Sequence, residues 1–217
     1  MKKKLIVALD FDSAEPALKF LDNLDPKRCL VKVGLELFIS EGWQILDLIS
    51  EKGFEIFLDL KLHDIPNTVA NSIRKISNFN VALTTIHLNG GKDMIEAASS
   101  EKRGNIKILG VSILTSLSKN DILEITDTKF DIYFNNLISI ASNTNIDGVV
   151  CSPNELDKLK DFNKLKVVPG IRNDISDDDQ KRVMSSVEAY QKGADFIVVG
   201  RPITKSDDPR KALEFFL

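Results

Sequence analysis

Eight short apolar runs recur along this chain of 217 residues, and an amphipathic stretch follows each of them. Short runs rich in β-branched residues predict buried strands, and apolar positions three and four apart predict helices. Eight strand–helix units in succession predict an α/β fold with parallel strands, the (β/α)8 TIM barrel. The predicted strands are Leu5–Leu9, Leu30–Val33, Glu55–Leu58, Val81–His87, Lys107–Ile113, Gly148–Val150, Lys166–Val168 and Phe196–Val199. The predicted helices are Ala14–Leu24, Leu35–Lys52, Asn67–Asn78, Gly91–Ser100, Asp131–Asn143, Ser152–Lys160, Val183–Lys192 and Asp208–Phe216, with a short extra helix at Ser118–Ile125.

Composition excludes several classes of protein. The net charge of -3 gives no basic footprint, so we expect no nucleic-acid partner. No apolar run approaches ~18 residues, so we expect no membrane span, and Leu5–Leu9 is too short for the apolar core of a signal peptide. Cys29 and Cys151 lack metal-binding spacing and are typical of a reduced protein, so we expect a cytoplasmic location. No linker or change of composition divides the chain, and we expect a single domain over residues 1–217.

Opposite charges stand at the predicted end of the third strand. Asp59 and Lys61 lie two residues apart, so on a strand their side chains point to the same side. Lys32 lies in the second strand between two valines, and Asp64 follows the third strand. Buried charges are costly unless each has an opposite neighbour. The alternation of two ammoniums with two carboxylates therefore predicts a polar site that holds a charged ligand.

Other polar residues follow further strands. Asp10, Thr115, Arg172 and Arg201 come after the first, fifth, seventh and eighth strands. Because barrel active sites lie at the carboxyl ends of the strands, we expect these side chains to meet. Loops after the seventh and eighth strands commonly bind phosphate in this fold, and Gly170 and Gly200 beside the arginines favour that function here. The polar segment from Asn173 to Gln180 is predicted to close over the ligand as a lid.

The run from Asp59 to Thr68, Asp-x-Lys-x-x-Asp followed by Ile-Pro-Asn-Thr, resembles the signature of the orotidine 5'-phosphate decarboxylase family. Further segments match the bacterial, monofunctional form in the same order and spacing, and together they extend the resemblance over nearly the whole chain. These segments are Val7–Asp10, Val31–Gly34, Leu114–Ser116, Pro169–Arg172 and Val199–Pro202. The resemblance implies an enzyme that decarboxylates orotidine 5'-monophosphate to UMP, the last step of UMP synthesis, without metal or organic cofactor. It also implies a chain that lacks the phosphoribosyltransferase domain fused to this enzyme in some organisms.

The resemblance assigns roles to named residues. It makes Lys61 the group that stabilises the carbanion at C6 and donates the proton, with Lys32 and Asp59 holding it in place. It places Asp64 in the active site of the partner subunit, which implies a homodimer with shared sites. The substrate-binding residues that it implies are Asp10, Lys32, Ile65, Thr68, Thr115, Pro169, Arg172, Gln180, Gly200 and Arg201.

Three other functions and several plain structural roles are open at this stage. Magnesium-dependent sugar-phosphate decarboxylases and synthases share the Asp-x-Lys-x-x-Asp strand but use an acidic residue on strand two, where this chain has Lys32. A Schiff-base aldolase needs a neutral lysine, which flanking carboxylates oppose, and a non-catalytic barrel could simply bind nucleotides.

Several of these residues could instead have purely structural roles. Lys32 could extend its amine to solvent, Asp64 could cap a helix, and Arg201 could form a salt bridge at the barrel rim. His63 and His87 lack a third ligand at metal-binding spacing, so we expect no metal site.

Overall fold

The computed structural model describes residues 4–173 and 184–217 of the chain. Its eight strands are all parallel, and each pairs with its neighbours in chain order until the eighth pairs with the first and closes the barrel. The predicted (β/α)8 fold is therefore confirmed. The strands are β1 (Leu5–Ala8), β2 (Cys29–Val33), β3 (Ile56–Leu62), β4 (Val81–His87), β5 (Lys107–Val111), β6 (Gly148–Val150), β7 (Leu165–Pro169) and β8 (Phe196–Val199).

Helices cover the outside of the barrel. They are α1 (Ala14–Leu21), α2 (Leu35–Glu41), α3 (Gln44–Glu51), α4 (Pro66–Ile76), α5 (Gly91–Ser100), α6 (Lys119–Thr126), α7 (Phe130–Ser142), α8 (Ser186–Gln191), α9 (Arg201–Thr204) and α10 (Pro209–Glu214). Two segments, Leu88–Gly90 and Pro153–Leu159, are 3₁₀ helices. Among the residues that the structure describes, no helix is both long enough and apolar enough to span a bilayer.

Both faces of the strands are buried, which explains why the sequence shows continuous apolar runs instead of alternation. On β1, Leu5 and Val7 pack in the layer between barrel and helices, whereas Ile6 and Ala8 pack inside the barrel. The interior layer consists of Ile6, Ala8, Leu30, Phe57, Leu83, Leu109, Val167 and Val198. Packed side chains thus fill the barrel, and a ligand has room only at its ends.

Several predicted boundaries were wrong. The helix predicted over Leu35–Lys52 is divided into α2 and α3, because Gly42 takes a backbone conformation (φ 63°, ψ -148°) that a helix cannot contain. The stretch Ser152–Lys160 forms a 3₁₀ helix instead of an α-helix. The short helix α9 at the end of β8 was missed.

Candidate active site

The third strand is longer than predicted and carries two of the charges within it. It runs to Leu62, but its pairing with β4 is interrupted between Leu58 and Leu62. Inside this irregular stretch Lys61 has a φ of 50°. A positive φ is uncommon for a residue other than glycine, and such conformations cluster at functional sites. The irregularity in β3 thus coincides with one of the charged residues of the site.

Four charged side chains alternate in sign across the carboxyl ends of the first three strands. The ammonium of Lys32 lies 3.3 Å from Asp10 and 3.9 Å from Asp59. The ammonium of Lys61 lies 2.8 Å from the same Oδ2 atom of Asp59. The Asp59 side chain is only 12% exposed and that of Lys32 only 15%. Both therefore depend on their opposite neighbours to offset the cost of burial.

The residues after β3 do not join this series of ion pairs within the described part of the chain. Asp64, Ile65 and Thr68 are all exposed. The carboxylate of Asp64 accepts a hydrogen bond of 2.7 Å from the backbone N–H of Ile65. Within residues 4–173 and 184–217 no ion pair joins Asp64 to Lys32 or Lys61. In a single chain, the alternation is therefore Asp10, Lys32, Asp59, Lys61.

Two glycines leave room for these charges. A Cβ atom on Gly34 would come within 3.0 Å of the Lys32 ammonium, and one on Gly200 within 3.2 Å of the Asp10 carboxylate. Both distances are shorter than ordinary van der Waals contact, so a side chain at either position would displace a charged group. Close packing against Lys32 and Asp10 thus explains why glycine occupies these positions in the Lys-Val-Gly and Val-Gly-Arg segments.

A cavity of about 130 Å³ opens beside Asp59 and Lys61. Thr115 and Pro169, for which the sequence predicts contact with the substrate, both border it. The described residues that line it are Lys32, Phe57, Asp59, Lys61, Val111, Ile113, Leu114, Thr115, Val150, Cys151, Pro169 and Val198. Its apolar walls with a charged edge suit a flat ring that carries one reacting group.

A second cavity of about 160 Å³ adjoins the first and shares Lys32, Pro169 and Val198 with it. Arg172 and Arg201 line it, together with Asp10, Gly170 and Gly200. Two guanidinium groups and close backbone N–H groups are suited to a phosphate. Gln180, predicted to reach this phosphate from the lid, lies outside the described residues.

A larger cavity of about 590 Å³ also borders Arg172 and Arg201. Its described lining residues include Phe215 and Phe216. They do not include Asp10, Lys32, Asp59 or Lys61. We therefore place the reacting part of a ligand in the two smaller cavities, where the alternating charges lie.

One residue that contacts both Asp59 and Lys61 was missed in the sequence. The hydroxyl of Thr85, on β4, accepts a hydrogen bond of 2.9 Å from the backbone N–H of Lys61 and donates one of 2.9 Å to Oδ1 of Asp59. In the sequence Thr85 cannot be distinguished from Thr84, which precedes it in the same apolar run. Side chains alternate between the two faces of a strand, so Thr84 and Thr85 point in opposite directions. They can be distinguished once it is known which face of β4 points into the barrel.

The two histidines lie together near the site. Their rings have centroids 5.4 Å apart. Burial lowers the pKa of His87, and the neighbouring His63 and Lys61 lower it further, against the opposing effect of Asp59. Over the described part of the chain, no group of three or more His, Cys, Asp or Glu side chains is arranged to hold a metal ion.

Comparison with known proteins places this chain in a family. A family model described as "Orotidine 5'-phosphate decarboxylase / HUMPS family" matches residues 3–216. The chain belongs to this family. It is 42% identical over 220 residues to the orotidine 5'-phosphate decarboxylase of Saccharophagus degradans, a match that covers 97% of this chain and 92% of the relative. A relative of the same name from Malacoplasma penetrans is also 42% identical, with coverages of 95% and 94%.

A solved structure gives the same likeness in three dimensions. The crystal structure of orotidine 5'-phosphate decarboxylase from Lactobacillus acidophilus superposes with a TM-score of 0.87 at 36% sequence identity. The superposition covers 98% of this chain and 96% of that one. The resemblance noted in the sequence motifs is thus confirmed over the whole barrel.

Proposed function

We propose that this chain decarboxylates orotidine 5'-monophosphate to UMP, in the last step of de novo pyrimidine nucleotide synthesis. The observation that carries the proposal is the alternation of Asp10, Lys32, Asp59 and Lys61, which borders both an apolar cavity and an arginine-lined one. The proposal agrees with the family to which the chain belongs.

The reaction needs a fixed positive charge at one carbon atom. When the bond from C6 to the carboxylate carbon breaks, carbon dioxide leaves and the electron pair stays on C6. An ammonium held beside C6 stabilises this charge without solvent reorganisation, and a proton transferred from it to C6 then completes UMP. We assign both steps to Lys61, because Asp59 holds its ammonium at 2.8 Å at the edge of the apolar cavity.

The remaining residues would bind the substrate. We place the phosphate between Arg172 and Arg201, with Gly200 allowing close approach and Gln180 reaching it from the lid. We place the pyrimidine between Thr115 and Pro169 in the apolar cavity. Asp10 and Lys32 line the cavity between these two positions, which suits them to the ribose.

We propose that the active form is a homodimer, in which Asp64, Ile65 and Thr68 complete the site of the partner subunit. Asp64 is exposed and Ile65 is 67% exposed, so both are available to a second chain. On α2, Leu35 and Ile39 are 51% and 77% exposed and lie one helical turn apart, on the same face. Exposed apolar side chains of this kind favour an interface between copies.

We also propose that residues 1–217 act as one domain and that the protein functions in the cytoplasm. The thiols of Cys29 and Cys151 are both buried, and burial strongly raises the pKa of Cys151. A buried, protonated thiol is chemically inert. This agrees with a protein that keeps its cysteines as unreactive thiols.

The test is an assay without metal. Purified protein is incubated with orotidine 5'-monophosphate in the presence of EDTA, while the loss of substrate absorbance and the appearance of UMP are followed. We expect UMP to form at a rate proportional to protein concentration. A protein that makes no UMP, but converts a sugar phosphate once magnesium is added, contradicts the proposal and favours the magnesium-dependent alternative.

A further inference from the structure

Thr85 connects the two central charged residues of the site through a single hydroxyl. Its side chain is fully buried. The hydroxyl accepts the backbone N–H of Lys61 and donates to Oδ1 of Asp59, both at 2.9 Å. A hydroxyl has only one proton to donate. Because that proton goes to Asp59, the lone pairs are left to accept from Lys61, and the direction of both bonds is fixed.

The bond to Asp59 orients the carboxylate. With Oδ1 held by Thr85, Oδ2 is the atom that faces both ammoniums, at 2.8 Å from Lys61 and 3.9 Å from Lys32. Rotation of the carboxylate would break the Thr85 bond and move Oδ2 away from the lysines. The hydroxyl thus sets the position of the charge that holds both ammoniums.

The bond to Lys61 holds its backbone. Lys61 has a φ of 50° inside the irregular part of β3, where the regular pairing with β4 is interrupted. A residue in this conformation needs the surrounding structure to maintain it. The Thr85 hydroxyl supplies a hydrogen-bond acceptor from the neighbouring strand where regular strand pairing is interrupted.

We propose that Thr85 is a positioning residue for the decarboxylation, acting through Asp59 and Lys61 without touching the substrate. The inference rests on the proposed function. Its physical basis is that misplacing a reacting group by about 1 Å can cost roughly a hundredfold in rate. Such a loss falls on kcat more than on KM, because the interaction of Lys61 with C6 is made mainly in the transition state.

The test variant is Thr85→Val, which keeps the shape of the side chain and removes the hydroxyl. We expect kcat to fall roughly ten- to a hundredfold, while KM and the affinity for UMP change less than about threefold. Thr85→Ser restores the hydroxyl and should recover most of the lost kcat. If the valine variant does not fold, Thr85→Ala gives the same comparison with a smaller side chain.

The neighbouring residue supplies a matched control. Thr84 is also fully buried, and its hydroxyl has no hydrogen-bond partner among the described residues. Leu83 packs inside the barrel and Ile86 toward the helices, so alternation places Thr85 inside and Thr84 outside. Thr84→Val makes the same chemical change on the other face and should leave kcat within about twofold of the wild type, since its hydroxyl has no bond to lose.

The outcomes separate this inference from the function on which it rests. A wild-type protein that produces no UMP overturns the proposed function and this inference together. With an active wild type, the positioning role of Thr85 alone is overturned in any of three cases: Thr85→Val keeps kcat within twofold, Thr84→Val loses as much, or Thr85→Ser is no better than valine. A loss confined to KM would likewise assign Thr85 to binding.

Discussion

At the scale of single residues, the site is held together by Asp59. One of its oxygens lies within 4.0 Å of two ammoniums, and the other accepts a hydrogen bond from Thr85. Removing either lysine still leaves this carboxylate with one cationic neighbour, the other lysine. Single lysine variants should therefore fold, which makes their kinetics interpretable.

The first prediction concerns Lys61. Lys61→Ala should lower kcat at least ~100-fold, because it removes the charge that stabilises the carbanion. Binding of UMP should change far less, since Arg172 and Arg201 still line the phosphate cavity. Steady-state kinetics and calorimetric titration with UMP measure the two effects. As a control, Lys52→Ala removes a partly exposed lysine paired with Asp22 and should leave kcat unchanged. A Lys61→Ala variant with more than a tenth of wild-type kcat would show that Lys61 is not the catalytic acid.

The second prediction concerns Arg201. Arg201→Ala should weaken binding of UMP by about 1.5–3 kcal/mol, the usual contribution of a charge-assisted hydrogen bond. Uridine, which has no phosphate, should bind both proteins equally. Inhibition constants for the two ligands provide the comparison. Arg74→Ala, which removes a bidentate pair with Glu101 on the outside of the barrel, is the control and should affect neither ligand. Equal losses for UMP and uridine would make Arg201 a structural residue.

At the scale of elements, the sequence predicts the barrel well and its irregularities poorly. Buried strands and amphipathic helices follow from periodicity, and buried charges such as Lys32 and Asp59 are conspicuous among apolar neighbours. The extension of β3 to Leu62 includes Lys61 at a positive φ, which a lysine at that position gives no reason to predict. The break between α2 and α3 was missed because the apolar pattern continues through it. Thr85 was missed because only the inward face of β4 distinguishes it from Thr84.

The third prediction concerns this break. Gly42 has a φ of 63° and a ψ of -148°, a combination that is nearly exclusive to glycine. A Cβ atom there would meet no other atom within 4 Å, so the cost of Gly42→Ala is one of backbone conformation alone. We expect the free energy of unfolding to fall by about 1–3 kcal/mol, measured by urea denaturation. Ser40→Ala, an exposed change in α2, should stay within about 0.5 kcal/mol. An unchanged stability of Gly42→Ala would mean that the turn accepts another conformation.

At the scale of the whole molecule, one barrel supplies Asp10, Lys32, Asp59 and Lys61, while Asp64 lies exposed beyond β3. Directly afterwards, Pro66 begins α4. A fifth charge that approaches Lys61 from a second subunit would continue the alternation across the interface. A complete active site would then require the dimer, since neither subunit alone would hold all five charged residues.

The fourth prediction tests this arrangement by complementation. Lys61→Ala and Asp64→Ala chains, each inactive alone, are mixed and allowed to exchange subunits. If Asp64 acts in the partner's site, a mixed dimer contains one site with both changes and one with neither. Random mixing makes half of the dimers mixed, so activity should return to about a quarter of the wild-type value. Exchange is verified independently with differently tagged chains, and two Lys61→Ala chains with different tags serve as the control that must stay inactive. If exchange is complete and the mixture still makes no UMP, every site carries one change, and Asp64 acts within its own chain.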